Sequence, residues 1–307
     1  MADRFAQEKA ELRRLAGERN AVILAHNYQR LEVQEAADFV GDSLELARHA
    51  AATDADLILF CGVHFMAETA HILAPQKTVL MPDTRSGCPM ADMVTAEALR
   101  ALKAKHPGVP VVAYVNTSAA VKAESDVCCT SSNCVEIVAR FPRDQELIFV
   151  PDRNLGDYVR RRSGHESMIV WDGYCHVHDD IRPDDIVAAR ELHPDAVVMA
   201  HPECPHEVLE LADVVASTSG MLRRPETDPA TSFIVATEVG LVDRLKTLYP
   251  GRTFVVASRR AYCPNMKLNT LEKAIAALDD EGENEITVPP LIRERALRAV
   301  QRMVETR

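Results

Sequence analysis

The sequence predicts an α/β protein built from three homologous αβα domains, each with a short parallel sheet. The main observation is that Cys88, Cys175 and Cys263 follow one another at intervals of 87 and 88 residues. Each stands beyond a short apolar run of the kind that forms a buried strand. Such runs alternate with helical segments, a pattern typical of parallel sheets covered by helices on both faces. We therefore expect one structural unit used three times.

The repeat extends beyond the cysteines. The apolar runs AVILA, VPVVA and AVVMA are each followed by an anchor residue, 62, 61 and 62 positions before the repeated cysteine: His26, Tyr114 and His201. Seven positions after each anchor stands a valine: Val33, Val121 and Val208. Twelve positions after it stands an aspartate: Asp38, Asp126 and Asp213. Seventeen positions after it stands a hydroxyl residue: Ser43, Ser131 and Thr218. Such regular spacing in divergent copies predicts a triplication.

The repeat divides the chain into domains at residues 1–90, 91–178 and 179–264. The C-terminal helices within 265–307 fall outside the three copies. We expect them to pack back on the first domain, which otherwise lacks a helix on one side. Asn269 with Glu272 forms an Asn-x-x-Glu pattern that predicts the N-terminal cap of the first of these helices.

Length and charge narrow the class of protein. A chain of 307 residues with 47% hydrophobic residues is globular, and no run approaches the ~20 apolar residues that a membrane helix needs. The charged N-terminal segment predicts a helix rather than a signal peptide, so we expect a cytoplasmic protein whose eight cysteines form no disulfides. The net charge of −11 argues against nucleic acid as a partner. The protein could still bind small anionic substrates if the site supplies local positive charge.

The repeated polar residues stand where a site is expected. Ligands of parallel α/β sheets bind beyond the carboxyl ends of the strands, and side chains two apart on extended backbone share a face. Three pairs follow from this: His26 with Tyr28, Tyr114 with Asn116, and His201 with Glu203. The repeated hydroxyl residues stand at strand-to-helix turns, which can hold a carboxylate or a phosphate. If the copies meet about a pseudo-threefold axis, all these groups converge on one cavity.

The repeated cysteines predict a metal centre. A structural zinc ion normally takes four protein ligands, whereas a 4Fe–4S cluster held by Cys88, Cys175 and Cys263 leaves one iron open as a Lewis acid. Two alternatives stay open. The three thiols could be buried structural residues, or CHVH at 175–178 could form a zinc site with HPECPH at 201–206.

At these residues the sequence resembles the quinolinate synthase family, the iron–sulfur enzymes of NAD biosynthesis. The resemblance covers nearly the whole chain and rests on nine motifs: AHNYQ at 25–29, GDSLELA at 41–47, SGCPM at 86–90, AYVNTSA at 113–119, CTSSN at 129–133, WDGYCHVH at 171–178, HPEC at 201–204, STSGM at 217–221 and CPNMK at 263–267. It implies three αβα domains about a pseudo-threefold axis and a 4Fe–4S cluster bound by the three repeated cysteines. The implied reaction condenses iminoaspartate with dihydroxyacetone phosphate to quinolinate, phosphate and water.

The resemblance also implies roles for individual residues. Substrate contacts carry over to His26, Ser43, Tyr114, Asn116, Ser131, His201, Glu203 and Thr218, with Tyr28 on the catalytic side. Transient contact with the enzyme that produces iminoaspartate is a further expectation. Some members carry a C-x-x-C-x-x-C cluster at the last cysteine. This chain has only Cys263 there, so we expect no redox switch built on such extra thiols.

The implied reaction requires an acid and a base, and two other classes of protein stay possible. Quinolinate formation needs a base near the condensed intermediate and an acid for the departing oxygen. We assign these roles to Glu203 and Tyr28, with His26 and Tyr114 as the next candidates. Another three-cysteine enzyme, of a reductive or diphthamide-type radical class, would instead need added reductant or S-adenosylmethionine. A non-catalytic iron–sulfur sensor would not need three hydroxyl-bearing turns at one cavity.

Overall fold

Three four-stranded parallel sheets form the framework in the computed structural model, which describes residues 5–280 and 282–306. The first sheet comprises β1 (Ala21–His26), β2 (Phe39–Gly41), β3 (Leu57–Cys61) and β4 (Thr78–Leu80). The second comprises β5 (Val111–Tyr114), β6 (Val127–Cys129), β7 (Leu147–Val150) and β8 (Met168–Val170). The third comprises β9 (Val197–Ala200), β10 (Val214–Val215), β11 (Ser232–Ala236) and β12 (Thr253–Val256).

The three sheets have the same topology. Their spatial orders are β2-β1-β3-β4, β6-β5-β7-β8 and β10-β9-β11-β12, so the strand that ends at the anchor residue, or one residue before it in the third unit, lies second in each. All strand pairs within them are parallel. This confirms the predicted α/β fold with three homologous units. We call them the first, second and third units; the domain boundaries at 90, 178 and 264 stay a prediction.

Helices connect the strands and cover the sheets. Those of the first unit are α1 (Ala6–Glu18), α2 (Leu31–Ala36), α3 (Ser43–Ala52) and α4 (His64–Leu73). Those of the second are α5 (Ala96–Lys105), α6 (Ala119–Lys122), α7 (Cys134–Ala139), α8 (Arg153–Ser163) and α9 (His176–Asp179). Those of the third are α10 (Pro183–Leu192), α11 (His206–Glu210), α12 (Thr218–Thr227) and α13 (Val239–Leu248). The C-terminal pair is α14 (Leu271–Asp279) and α15 (Pro290–Glu305). None of the described helices is both long and apolar enough to cross a membrane.

The repeated aspartates have a structural role that is the same in each unit. The carboxylates of Asp38, Asp126 and Asp213 each accept a hydrogen bond of 2.8 Å from a backbone N–H in the first strand of their sheet. Their own backbone N–H groups donate back to the same strand at 2.9–3.0 Å. This reciprocal pair fixes the approach to the second strand and explains the repeat at the twelfth position.

The C-terminal helices contact two units. α14 packs against α1 and β3, and its apolar side chains join the core beside the first sheet. α15 packs against α3 and α4 of the first unit and also against α6 and β6 of the second, a contact that the sequence analysis did not anticipate.

The predicted cap of α14 is wrong by one residue. Thr270 is the N-cap, and its hydroxyl accepts a hydrogen bond from the backbone N–H of Lys273. Asn269 instead turns inward, where its amide donates to the carbonyl oxygen of Gly62 at 2.8 Å. A buried carbonyl that needs a donor therefore competes successfully for the asparagine.

Candidate active site

The residues predicted to form the site line one cavity. This inner cavity contains about 740 Å³ of empty space beyond the carboxyl ends of the strands. Its lining includes all twelve predicted residues: His26, Tyr28, Ser43, Cys88, Tyr114, Asn116, Ser131, Cys175, His201, Glu203, Thr218 and Cys263. Three units thus contribute to a single site, although the roles assigned to individual residues stay predictions.

The repeated cysteines enter this cavity from equivalent loops. Cys88 lies just before the 3-10 turn Pro89–Met93, Cys175 is the N-cap residue of α9, and Cys263 precedes the 3-10 turn Met266–Leu268. All three are free thiols with partly exposed residues, whereas the other five cysteines are buried. The three partly exposed cysteines are therefore the three that recur in the repeat.

Burial raises the pKa of all three thiols, so they stay protonated at neutral pH unless a cation offsets the cost of their ionisation. Burial raises the pKa of Cys88 to about 12, and the neighbouring thiol of Cys263 adds to the shift. Burial also raises the pKa of Cys175, with further contributions from the charges of Glu203 and Cys88. Three thiolates in one cavity would repel one another, and a metal group would offset that repulsion. The donor set therefore fits a metal centre with one ligand from each unit.

A histidine that the sequence analysis placed only in the alternative zinc site connects Glu203 to Tyr28. Nδ1 of His178 lies 2.6 Å from Oε2 of Glu203. Nε2 of the same ring lies 3.2 Å from the Tyr28 hydroxyl and 2.8 Å from Oγ1 of Thr237. The Tyr28 and Thr237 oxygens are 2.5 Å apart. The predicted base and the predicted acid therefore stand at opposite ends of one buried hydrogen-bonded chain.

The protonation states suit these two roles. Burial alone would raise the pKa of Glu203, but the charge and hydrogen bond of His178 outweigh it and lower that pKa. Glu203 is thus ionised at neutral pH and orients the His178 Nδ1–H toward itself. Burial raises the pKa of Tyr28 well above its usual value, and the negative charge of Glu203 adds to that effect. Tyr28 therefore keeps its proton and can donate it.

The anchor histidines are neutral and locally oriented. Burial lowers the pKa of His26 to about 3, and burial also lowers that of His201 to about 3. Nδ1 of His26 accepts from the Tyr28 backbone N–H at 3.2 Å, and Nδ1 of His201 accepts from the Glu203 backbone N–H at 3.4 Å. Each ring therefore carries its proton on Nε2. For His201 this N–H donates to the Ser131 hydroxyl at 3.2 Å.

These contacts correct the expectation about backbone shape. Tyr28 and Glu203 do not continue an extended strand; each lies in a turn that begins after the anchor residue. The turn forms because the anchor imidazole accepts the backbone N–H two residues later. Both members of each pair still line the cavity, but a turn and not an extended strand brings them there.

The three hydroxyl residues lie where helices begin. Ser43 is the first residue of α3 after the cap residue Asp42, and Thr218 is the first residue of α12 after Ser217. Ser131 lies in the turn that precedes α7. Thr218 also accepts a hydrogen bond of 2.9 Å from the buried amide of Asn27 in the first unit. Hydroxyls from all three units are thus held at one cavity wall.

A buried ion pair supports two loops of the site. Nζ of Lys267 lies 3.0 Å from Oε2 of Glu238 and also donates to the backbone carbonyl of Tyr28. Oε1 of Glu238 accepts the backbone N–H of Cys263 at 3.1 Å. Sequence reasoning missed both residues. The signal was present for Glu238, because Asp152 stands at the same repeat position in the second unit.

The alternative zinc site is not assembled as proposed. His206 pairs with Glu210 at 3.2 Å, and the Cys204 sulfur lies 3.5 Å from the carbonyl oxygen of Ala236. Neither residue lines the cavity. Cys175, His178 and Glu203 do place one ligand atom each within 4.8 Å of one another. These three could hold a single metal ion, although such a site would leave Cys88 and Cys263 unused.

The fold and the site define a class: a triplicated α/β enzyme with a thiol-lined cavity and acid–base side chains at the junction of its units. Comparison with known proteins narrows the class. A family model described as quinolinate synthetase A protein matches residues 10–305. The chain therefore belongs to the quinolinate synthetase A family.

Curated relatives agree over the full length. The chain is 52% identical over 304 residues to a quinolinate synthase of Desulforudis audaxviator, covering 99% of each chain. It is 53% identical over 302 residues to one of Methanoregula boonei, covering 98% of this chain and 99% of the relative. It is also 53% identical over 296 residues to one of Geobacter metallireducens, covering 96% of each.

Proposed function

We propose that this protein condenses iminoaspartate with dihydroxyacetone phosphate to give quinolinate, phosphate and water. The observation that carries the proposal is the inner cavity, where one cysteine, one anchor residue and one hydroxyl residue from each unit lie together. Membership of the quinolinate synthetase A family supports the same conclusion. The reaction belongs to NAD biosynthesis, and we place it in the cytoplasm.

We assign a 4Fe–4S cluster to Cys88, Cys175 and Cys263. Three protein thiolates would leave one iron free to polarise a bound oxygen as a Lewis acid. The one-thiol-per-unit arrangement supports this assignment over a single ion at Cys175, His178 and Glu203, because it uses every repeated cysteine.

Glu203 and Tyr28 carry the proton transfers in this proposal. Glu203 is ionised and is held by His178 and by the Tyr114 hydroxyl, while its Oε1 has no hydrogen bond of normal geometry among the described residues. That oxygen can therefore take a proton from a carbon of the condensed intermediate. Tyr28 keeps its proton and can give it to a departing hydroxyl group. His178 and Thr237 link the two residues, so the proton lost by Tyr28 can be replaced through the same chain.

The remaining predicted residues bind the substrates. The Nε2–H group of His26 and the hydroxyls of Ser43 and Thr218 are donors that suit carboxylate and phosphate oxygens. Ser131 and His201 are already joined to each other and can share a bound oxygen. Burial raises the pKa of Tyr114, so its phenol also stays a donor. The buried Oδ1 of Asn116 has no partner among the described residues and is free to accept from substrate.

The partners in this proposal are the two small substrates. Transient contact with the enzyme that produces iminoaspartate stays a prediction, and no surface of the described residues is assigned to it.

The function is tested by anaerobic purification followed by iron and sulfide analysis. We expect brown protein with about four irons and four sulfides per chain, a spectrum that changes when quinolinate is added, and quinolinate formation from freshly generated iminoaspartate. Cys175→Ser should lose the cluster and the activity. Cys61→Ala is the matched control, because Cys61 is buried in the first unit away from the cavity. Tight stoichiometric zinc would contradict the cluster, and cluster-loaded protein that forms no quinolinate would contradict the function.

A further inference from the structure

A second cavity adjoins the inner one and is more open to solvent. This outer cavity contains about 770 Å³ of empty space, and Ser131 lines both cavities. Its walls come from the second and third units: the turn before α7, one face of α8, and the start of α12. A ligand that passes Ser131 would move directly from one cavity to the other.

Polar side chains join the linings of the two cavities. Asp42 lines the inner cavity, whereas Ser132 and Ser217 line the outer one. The hydroxyls of these serines both bond to Oδ2 of Asp42, at 2.5 Å and 3.3 Å. The three residues belong to three different units. Opening the wall between the cavities therefore requires the loss of both bonds and of a third, from the Asp42 backbone N–H to the Ser219 hydroxyl at 3.2 Å, and water can replace all three.

The charges of the two cavities differ. Among the described residues, no lysine or arginine lines the inner cavity, while Asp42, Glu203 and Glu238 do. Arg162 and Arg223 line the outer cavity. The chain carries a net charge of −11, so a small anion approaching most of its surface meets repulsion. Two arginines at one opening supply the local attraction that raises the association rate of such a ligand.

One of these arginines is held in place from the first unit. Nη1 of Arg223 lies 2.8 Å from Oε1 of Glu45, and the other carboxylate oxygen of Glu45 accepts from the Ser219 hydroxyl. Glu45 also belongs to the capping box of α3 together with Asp42. The arginine is therefore anchored to the same helix start that supplies the wall.

We propose that the outer cavity is the entrance through which small phosphate- and carboxylate-bearing anions reach the inner cavity and leave it. Arg162 and Arg223 attract the anion, and separation of Asp42 from Ser132 and Ser217 opens the way past Ser131. This inference rests on the proposed function, which supplies the anionic substrates and products.

The experiment compares the replacement of each cavity arginine with the replacement of an arginine next to it in the sequence. Arg162→Gln and Arg223→Gln remove charge from the outer cavity. Arg161→Gln and Arg224→Gln remove the same charge one residue away, where the arginines pair with Asp157 and Asp228 outside the cavity. In all four holoenzymes we would measure kcat/KM for dihydroxyacetone phosphate, and the association rates of quinolinate and of inorganic phosphate by stopped flow. Iron content and circular dichroism check that each variant is loaded and folded.

We expect each cavity variant to lower the three quantities on the order of threefold to tenfold at low ionic strength. The double variant should lower them further. The differences from wild type should vanish near 1 M salt, where the Debye length is about 3 Å. The control variants should match wild type. If only the phosphate-bearing ligands respond, the entrance serves dihydroxyacetone phosphate; if quinolinate responds as well, it serves both ligand types.

A variant of opposite sign sharpens the test. Glu45→Gln keeps a side chain that can complete the capping box but removes the negative partner of Arg223, so association should become faster. Equal behaviour of cavity and control variants, or slower association in Glu45→Gln, would overturn the entrance. Wild-type protein that forms no quinolinate would overturn the proposed function instead. The association rate of inorganic phosphate in the variants would still show whether the outer cavity is an entrance for anions.

Discussion

The second and third units share a framework but differ in the chemistry at its open edge. Asp126 and Asp213 make the same 2.8 Å hydrogen bond to the first strand of their sheets. Two residues past the anchor, however, the second unit carries the amide of Asn116 and the third carries the carboxylate of Glu203. The shared positions fix where side chains are placed, and the unshared positions decide what those side chains can do.

The difference continues after the third strand of each sheet. β11 is followed by Thr237, whose hydroxyl contacts both Tyr28 and His178. β7 is followed at the same repeat position by Pro151, which offers no hydroxyl. The proton-transfer chain therefore runs from Glu203 and Thr237 of the third unit to Tyr28 of the first, through His178, which follows the last strand of the second sheet. The positions after β5, Tyr114 and Asn116, contribute neutral groups that suit substrate binding.

The largest expected effect separates these two regions directly. Glu203→Gln and Tyr28→Phe should each lower kcat about a hundredfold or more, the usual size of an acid–base contribution, while cluster content and quinolinate affinity are retained. Asn116→Ala, at the equivalent position of the second unit, should mainly raise KM. Turnover is followed as anaerobic quinolinate formation from freshly generated iminoaspartate.

Two outcomes would remove the distinction. If Asn116→Ala lowers kcat as much as Glu203→Gln, the amide of Asn116 takes part in the chemical step. If both acid–base variants keep near-normal turnover, the roles are wrong and His26 or Tyr114 becomes the next candidate.

A smaller effect is expected where the units resemble one another. Ser131→Ala and Thr218→Ala should each weaken quinolinate binding about ten- to a hundredfold, because hydrogen bonds to charged groups are worth roughly 1.5–3 kcal/mol. The cluster should be retained in both. Anaerobic calorimetry measures the affinity, with Ser163→Ala as control since its hydroxyl bonds only within α8. Unchanged affinity for quinolinate in both cavity variants would mean that these turns only cap helices and do not bind the ligand.

The smallest expected effect is on the pH dependence of stability. It distinguishes the anchor His26, which titrates in the unfolded chain between pH 7 and pH 5, from the anchor Tyr114, which does not. Burial and the charge of Lys267 lower the pKa of His26 to about 3 from its usual 6.5. Below pH 6.5 the imidazole of His26 therefore binds a proton in the unfolded chain but not in the folded protein. The free energy of unfolding falls as the pH drops from about 6.5 toward 3. Between pH 7 and pH 5, His26→Gln should lose roughly 1–2 kcal/mol less stability than wild type.

Denaturant unfolding under anaerobic conditions measures this difference. Tyr114→Phe is the matched control, because the second-unit anchor has a pKa raised far above this range. It should show the same pH dependence as wild type. An unchanged pH dependence in His26→Gln would mean that the His26 imidazole is accessible to protons in the folded state.

Much of the site could be predicted from the sequence because the repeat fixes positions. Three anchors, three hydroxyl residues and three cysteines recur in register, and the structure brings all nine to one cavity. Most of the residues that were missed do not recur in this way. His178 contacts Tyr28, 150 positions away, and Thr237 contacts it over 209 positions. Asp42 reaches serines of two other units. Such contacts depend on how the units dock, which strand periodicity does not encode.

Local errors had a local cause. The cap of α14 and the turns after the anchors were both misassigned, because a side chain bonded to a backbone group that the pattern treated as free. Asn269 bonds to the Gly62 carbonyl, and the imidazole of His26 bonds to the Tyr28 N–H. Hydrogen-bond competition of this kind is decided by burial, which is known only once the chain is folded.

The buried pair of Lys267 and Glu238 has a consequence for biosynthesis. Domains generally fold as they leave the ribosome, N-terminal ones first. Here the loop that carries Tyr28, made near the start of translation, receives its carbonyl partner from Lys267, made near the end. The core beside the first sheet is likewise closed by α14. The first unit therefore gains its last supporting contacts only when residues 263–279 have been made, and we expect insertion of the proposed cluster to follow their synthesis.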